Sequence, residues 1–299
     1  MRSAFAPAHI TGFFEIYMNS NPLYCGSRGA GVSIQHGVIT TVRAVHSNSN
    51  DINIKINGIN ADNFPISVNV ISKILSKTNN TYSVYVDHEV QVPIGAGLGS
   101  SGSIALSLVY ALNAELDLGL SILESAQIAH IAEIECGTGL GTVIAEYFGG
   151  FEIRSKPGAP GIGDITNFRN ESDDVIVIAF FDSIETNKVL KDKNLVDLIN
   201  EYGTEYMEKF LVQPNLKNFM TFSQDFSTKL SIMPKNLISI LETCRSNDII
   251  CSMCMLGNTL FSVVNQKERL ILNDIIKTHS DSNSSIIFSS VDECGARLI

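Results

Sequence analysis

The segment Pro93-Ile-Gly95-Ala-Gly97-Leu-Gly99-Ser100-Ser101-Gly102-Ser103 constrains this 299-residue chain more than any other. Before it, Tyr82, Val84, Val86, His88, Val90 and Val92 recur at every second position, the pattern of a strand, which Pro93 ends. After it, Ile104, Leu108, Val109 and Leu112 share one face of a helix. The glycines therefore lie in a strand-to-helix bend. Three alternate glycines let the main chain approach a bulky anion without Cβ clashes. Ser100 or Ser101 opens the helix, where free N–H groups and the positive end of the dipole favour phosphate.

The type of phosphate loop is narrowed by what surrounds it. A Walker A loop needs a lysine before its final hydroxyl residue, and no Lys or Arg occurs between Lys77 and Arg154. Acids are frequent there: Asp87, Glu89, Glu115, Asp117, Glu124, Glu133, Glu135, Glu146 and Glu152. The economical counter-charge for a polyphosphate is Mg²⁺, held by a carboxylate and a hydroxyl. Gly97–Gly102 also satisfies the dinucleotide pattern G-x-G-x-x-G. That reading is disfavoured, because a second helix follows where a strand ending in an acid is needed.

The whole chain carries 21 basic and 31 acidic residues, a net charge of −10, which argues against a general nucleic-acid or anionic-membrane binder. With 44% hydrophobic residues a real core is available. The longest apolar run, Val175–Phe181, is far short of a membrane span, and the N-terminus lacks the apolar stretch of a signal peptide. A cytoplasmic protein is the expectation. The cysteines are scattered, with C-x-x-C spacing only at Cys251–Cys254 and no second pair to complete a zinc site, so reduced thiols are expected.

Ser33–Val45 reads as β-rich with a turn at His36-Gly37, and Ile52–Ile56 as a half-buried strand. Ser67–Leu75 is a short helix, and Ser121-Ile-Leu-Glu124 is a capping box opening a helix to about Glu135. Phe151–Arg154 reads as a strand. Pro157–Gly163 is the best hinge, dividing domains 1–163 and 164–299. Beyond it, strands are expected at Val175–Phe181, Thr259–Val264 and Ser285–Ser289. Helices are expected at Asn194–Phe210, Asn215–Leu230, Lys235–Arg245 and Lys267–Thr278. Without a βαβ rhythm the fold class is α+β in both halves.

Pro93–Ser103 resembles the second motif, P-x-G-x-G-L-G-S-S, of the GHMP kinases. Ala6-Pro-Ala-His9-Ile-Thr-Gly12 stands in the place of their first motif, and Ser252-Met-Cys-Met-Leu-Gly257-Asn258-Thr259 resembles the third. Ala4–Glu15, Cys25–Gly31, Gly137–Gly141, Gly149–Arg154, Pro157–Gly161 and Met255–Thr259 are similar to segments of the archaeal pantoate kinases. The resemblance implies an N-terminal α+β domain bearing the loop, a ferredoxin-like C-terminal domain, and a cleft between them. It also implies ATP-dependent phosphorylation of the C4 hydroxyl of (R)-pantoate in coenzyme A synthesis. A mevalonate- or homoserine-type kinase, or a weakly active or non-catalytic homologue, is the alternative. Implied partners are ATP and a small acceptor, without nucleic acid or membrane; a homodimer is left open.

Roles follow from the resemblance. Pro93, Gly95, Ala96, Gly97, Leu98, Gly99, Ser100, Ser101, Gly102 and Ser103 would cradle ATP. Mg²⁺ would be held by Ser101, with Ser100 the fallback, and by Glu133, with Glu135 second. Where family members carry an Asp after T-G-L-G, this chain has Thr142, which cannot take a proton at neutral pH and can only position. Three explanations compete: phosphoryl transfer needs little help from a base, another carboxylate such as Glu135 or Asp164 reaches in, or the chain is a weakened or inactive homologue; reduced dependence on a base is favoured. For the acceptor carboxylate Arg154 is the first guanidinium and Arg28, beside Ser27, the second. His9 and His130 are candidate hydroxyl partners, and Thr186 a contact from across the cleft.

Overall fold

The structure is a computed structural model that describes residues 1–168, 174–182, 192–279 and 284–299. Two long strands, β1 (Arg2–Tyr17) and β2 (Gly26–His46), open the chain, joined through a 3-10 turn at Pro22–Tyr24. There follow β3 (Asp51–Ile56), β4 (Ile59–Asn60), α1 (Pro65–Leu75), β5 (Tyr82–Val90), α2 (Ser100–Leu116) and α3 (Ile122–Cys136). Next come α4 (Thr142–Phe148), β6 (Phe151–Lys156) and β7 (Asp164–Asn167).

The first sheet has the order β12-β1-β2-β5-β3-β4, β12 being Arg297–Leu298 near the far end of the chain; β6 and β7 attach to β2 as a branch. β2 changes neighbour midway, pairing with β6 over 29–32 and with β5 over 38–46. The change happens where β1 pairs Pro7 with Gly37 but Ala8 with Ile34, leaving Gln35 and His36 bulged. His36-Gly37, expected as a turn, is thus a bulge within a continuous strand. Gly37 lies so close to β1 that a Cβ would sit 2.1 Å from the Ala6 carbonyl oxygen, and its own carbonyl accepts from Gln91 N. Bonds from both neighbouring strands override the turn-like dipeptide.

α2, expected to carry one apolar face, is buried continuously from Gly102 to Leu112, because the sheet packs on one side and α1 and α3 on the other. The Ser121 capping box on α3 is present, its hydroxyl accepting from Glu124 N at 3.1 Å.

The second layer consists of β8 (Val175–Asp182), α5 (Lys193–Val212), α6 (Leu216–Lys229), α7 (Lys235–Arg245), β9 (Ser252–Met253), β10 (Asn258–Val264), α8 (Gln266–His279) and β11 (Ser285–Ser289). Its antiparallel sheet has the order β11-β8-β10-β9, a ferredoxin-like arrangement. The expected division at 163/164 falls between two strands of the first sheet, β6 and β7, so the chain leaves that sheet only after Asn167. One hydrophobic cluster spans both layers. Phe13 of β1 meets Phe210 of α5 edge-on at 5.4 Å, and Phe151 of β6 meets Phe219 of α6 at 5.9 Å. Among the described residues the cysteines are free, and no helix is long and apolar enough to cross a membrane.

Candidate active site

The glycine bend lies where the two layers meet. Gly95, Gly97 and Gly99 have φ of 78°, 77° and 68°, so alternate residues adopt the left-handed conformation that glycine tolerates best. Such alternation turns successive amides toward a common concavity, a main-chain anion nest. Gly99 is the N-cap of α2 and no side chain caps that helix, leaving its first N–H groups for a ligand. The bend is held from two sides. Leu98 O accepts from His9 N of β1 at 3.0 Å, and a Cβ on Gly257 would lie 1.9 Å from Ala96 O. The third glycine segment therefore packs main chain to main chain on the phosphate loop. The cleft they form is lined by Gly95, Gly97–Ser101, His9, Thr11, Phe14, Ser27, Thr138–Thr142, Met255 and Leu256.

Two carboxylates converge behind the first turn of α2. A Cβ on Gly102 would meet Glu146 Oε2 at 2.5 Å and Glu133 Oε1 at 3.2 Å. Both glutamates are fully buried, and Glu133 Oε2 and Glu146 Oε2 have no hydrogen-bond partner. Burial pushes the Glu133 carboxyl up to about 7, against the bonds it accepts from Thr142 Oγ1, at 2.7 Å, and from the Val143 amide. Glu146 is pushed well above the ordinary carboxyl range by burial, then by the nearby Glu133 charge; the Ser103 hydroxyl, 3.1 Å from its Oε1, opposes this. Among the described residues neither is hydrogen-bonded to a lysine or arginine. Two buried carboxyl groups with orphan oxygens, beside a main-chain anion nest, are a donor set that a hard divalent cation would satisfy.

The opposite wall is one face of the sheet. Gly29 and Gly31 of β2 leave room there: Cβ atoms would lie 3.0 Å from Arg154 Nη2 and 2.4 Å from His9 Nε2 respectively. Into this room fold His9 of β1 with Glu152 and Arg154 of β6, all buried. Glu152 Oε1 is bonded to His9 Nε2 at 2.8 Å and accepts a short bond from Arg154 Nη1. Burial, first, lowers the His9 pKa, with Glu152 opposing, so the imidazole is neutral. Arg154 Nε has no partner; it and Ser27 Oγ lie under Gly141, where a Cβ would be 3.3 and 2.0 Å away.

The expected residues divide accordingly. Gly95 and Gly97–Ser101 of the loop meet Ser27, His9 and Thr142 at the cleft, with Glu133 and Arg154 directly behind its walls; Pro93, Ala96, Gly102 and Ser103 do not line it, Ser103 bonding inward to Pro7 O and Glu146. His130 is buried beneath the Pro22 turn, its Nε2 3.1 Å from Pro22 O, and does not line the cleft. Arg28 also points elsewhere, pairing with Glu15 at 3.3 Å and with the Tyr17 hydroxyl. Glu135, the second metal candidate and a substitute base, is exposed and bonded to Lys73 and Asn69, because two residues of helix turn it to the face opposite Glu133. Asp164, the other substitute, is exposed on β7 outside the cleft lining. Thr186 lies outside the described residues. Glu146, Glu152 and Thr11 were not singled out from the sequence. Reading Thr142–Phe148 as a helix would have placed Glu146 one turn after Thr142.

Residues 66–150 match the family described as the GHMP kinases N terminal domain. The chain is 36% identical to the pantoate kinase of Methanocaldococcus jannaschii over 271 residues, 89% of this chain and 93% of that protein. It superposes on a phosphotransferase related to the CoA biosynthesis pathway with a TM-score of 0.89 and 29% identity, covering 99% and 97% of the two chains. A more distant structure, MDDEF in complex with MVAPP, AMPPCP and magnesium, has a TM-score of 0.74 at 15% identity, covers 100% of this chain and 98% of that one, and shares the fold. Fold and cleft are those of a GHMP-type small-molecule kinase, an enzyme that uses ATP. Within that class, the chain belongs to the pantoate kinase family.

Proposed function

We propose that this protein transfers the γ-phosphoryl group of ATP to the C4 hydroxyl of (R)-pantoate, with Mg²⁺ as the working cation. The observation that carries the reading is the uncapped N-terminus of α2 behind three left-handed glycines, opening on a cleft with a guanidinium behind its far wall. The amides of Gly95–Ser103 bind the triphosphate, and Arg154, behind Ser27 and Gly141, draws the acceptor carboxylate. Glu133 and Ser101 would hold the cation, which when bound would neutralise charge on the phosphates. The accepting oxygen attacks phosphorus, the bond to ADP breaks, and the hydroxyl proton passes by way of an oxygen of the transferred phosphoryl group to solvent. Thr142 donates its hydroxyl hydrogen to Glu133 and so orders that carboxylate; it takes no proton. A loose phosphoryl-transfer transition state asks for position and charge more than for a strong base.

The test is turnover with ATP and Mg²⁺ on pantoate, mevalonate and homoserine separately, with products read by phosphorus NMR. Phosphopantoate is expected from pantoate alone. Turnover of mevalonate or homoserine but not pantoate overturns the acceptor assignment.

A further inference from the structure

Both ring nitrogens of His9 are engaged inside the protein, so His9 has nothing left to offer a substrate directly. Its Nε2 lies 2.8 Å from Glu152 Oε1 and, at the longer distance of 3.4 Å, beside Arg154 Nη1, while its Nδ1 lies 3.3 Å from the Thr11 hydroxyl; the shorter contact sets the tautomer. The chain of bonds has a direction. Glu152 is paired with Arg154, and a carboxylate can only accept, so the hydrogen of the neutral imidazole is on Nε2. Nδ1 is then a lone pair, and Thr11 must donate to it. A hydroxyl has one hydrogen, so what Thr11 presents to the cleft is acceptor lone pairs alone. Thr11 is half-exposed and lines the cleft, whereas the side chains of His9 and Glu152 are fully buried behind it.

Position says which substrate group meets those lone pairs. His9 N bonds to Leu98 O of the phosphate loop, and Thr11 is the next residue of β1 on the same face. An obligate acceptor beside the phosphate end of the cleft suits the substrate group that carries a hydrogen and must face the γ-phosphorus, and repels the anionic groups around it. We propose that Thr11 accepts the hydrogen bond of the hydroxyl to be phosphorylated and aims its oxygen lone pair at the phosphoryl group. His9 and Glu152 act through Thr11 as positioning residues that fix the direction of its hydrogen. This inference rests on the kinase reading above but not on the identity of the acceptor.

The test compares wild type, Thr11→Val and Thr11→Ser on whichever alcohol the wild type phosphorylates, alongside nitrogen NMR of His9 in the wild-type protein. Thr11→Val keeps the shape and removes the acceptor. It is expected to lower kcat about ten- to a hundredfold, with KM for ATP within about twofold, and Thr11→Ser to recover most of the rate. His9 is expected as the Nε2–H tautomer. The proposal is overturned if Thr11→Val keeps wild-type kcat, if only the acceptor KM rises, if Thr11→Ser is no better than Thr11→Val, or if His9 carries its hydrogen on Nδ1. The tautomer is read without any turnover, so it survives a wrong choice of acceptor; failure of the wild type on every alcohol tried counts against the kinase reading instead.

Discussion

Glu133 shows how a single side chain can oppose stability and activity. Its carboxyl has a pKa of about 7 in the fold against 4.5 in the free side chain. The folded protein therefore holds a proton that the unfolded chain releases between these values. Stability from this site is full below about pH 4.5 and is lost as pH rises through 7. At pH 8, without divalent cation, the cost is about 3 kcal/mol. Glu133→Gln should therefore resist denaturant better than wild type at pH 8 in EDTA, with the gap closing near pH 4.5, while kinase activity is lost. Equal denaturation midpoints at pH 8 would show that the carboxylate is not desolvated in solution. Glu133 itself was legible from family-like spacing on an apolar helix. Glu146 was not, since nothing local separates it from the solvated acids around it; only the fold sets its oxygens against Gly102. Arg28 and His130 lie off the cleft for the same reason, each satisfied by a partner that chain order does not reveal: Glu15 for one, the Pro22 carbonyl for the other.

At the scale of elements, the phosphate loop is stabilised from outside itself. Gly257 belongs to a different layer, yet a side chain there would strike the loop at Ala96 O, only 1.9 Å from the added Cβ. A main-chain atom cannot swing aside, so the two segments must separate. Gly257→Ala should weaken ATP binding at least tenfold while CD still reports native helix content. Calorimetric ATP affinity equal to wild type would mean that the loop holds its shape without the third segment. The strand–bend–helix unit and the capping box of α3 were readable, because each depends on residues within a few positions of one another. The 21-residue span of β2 was not, because its bulge at Gln35-His36 exists only where β1, β5 and β6 all meet it.

At the scale of the whole molecule the layers share a core, and the cleft is the seam between them. Phe13, Phe151, Phe168, Phe210 and Phe219 interlock in that shared core, none of them lining the cleft. Phe210, fully buried in α5, packs on both Phe13 of the first layer and Phe168, whose amide donates to Phe151 O of β6 at 3.0 Å. Phe210→Ala should cost about 3–5 kcal/mol, and the variant should still unfold in one transition, with far-UV CD and tyrosine fluorescence coincident. Two separated transitions would show that the layers fold independently. The order of elements, the α+β class, the strand–bend–helix form of the glycine segment and the membership suggested by three spaced motifs came from the sequence alone. These rest on periodicity, glycine geometry and the charge of neighbouring residues, which are local properties of a chain. Which acids become desolvated, which histidine is tied into a hydrogen-bond chain, and which arginine stands behind the cleft were decided by tertiary structure. Burial and partner choice depend on residues more than a hundred positions apart, such as His9 and Glu152, and no local pattern encodes their meeting.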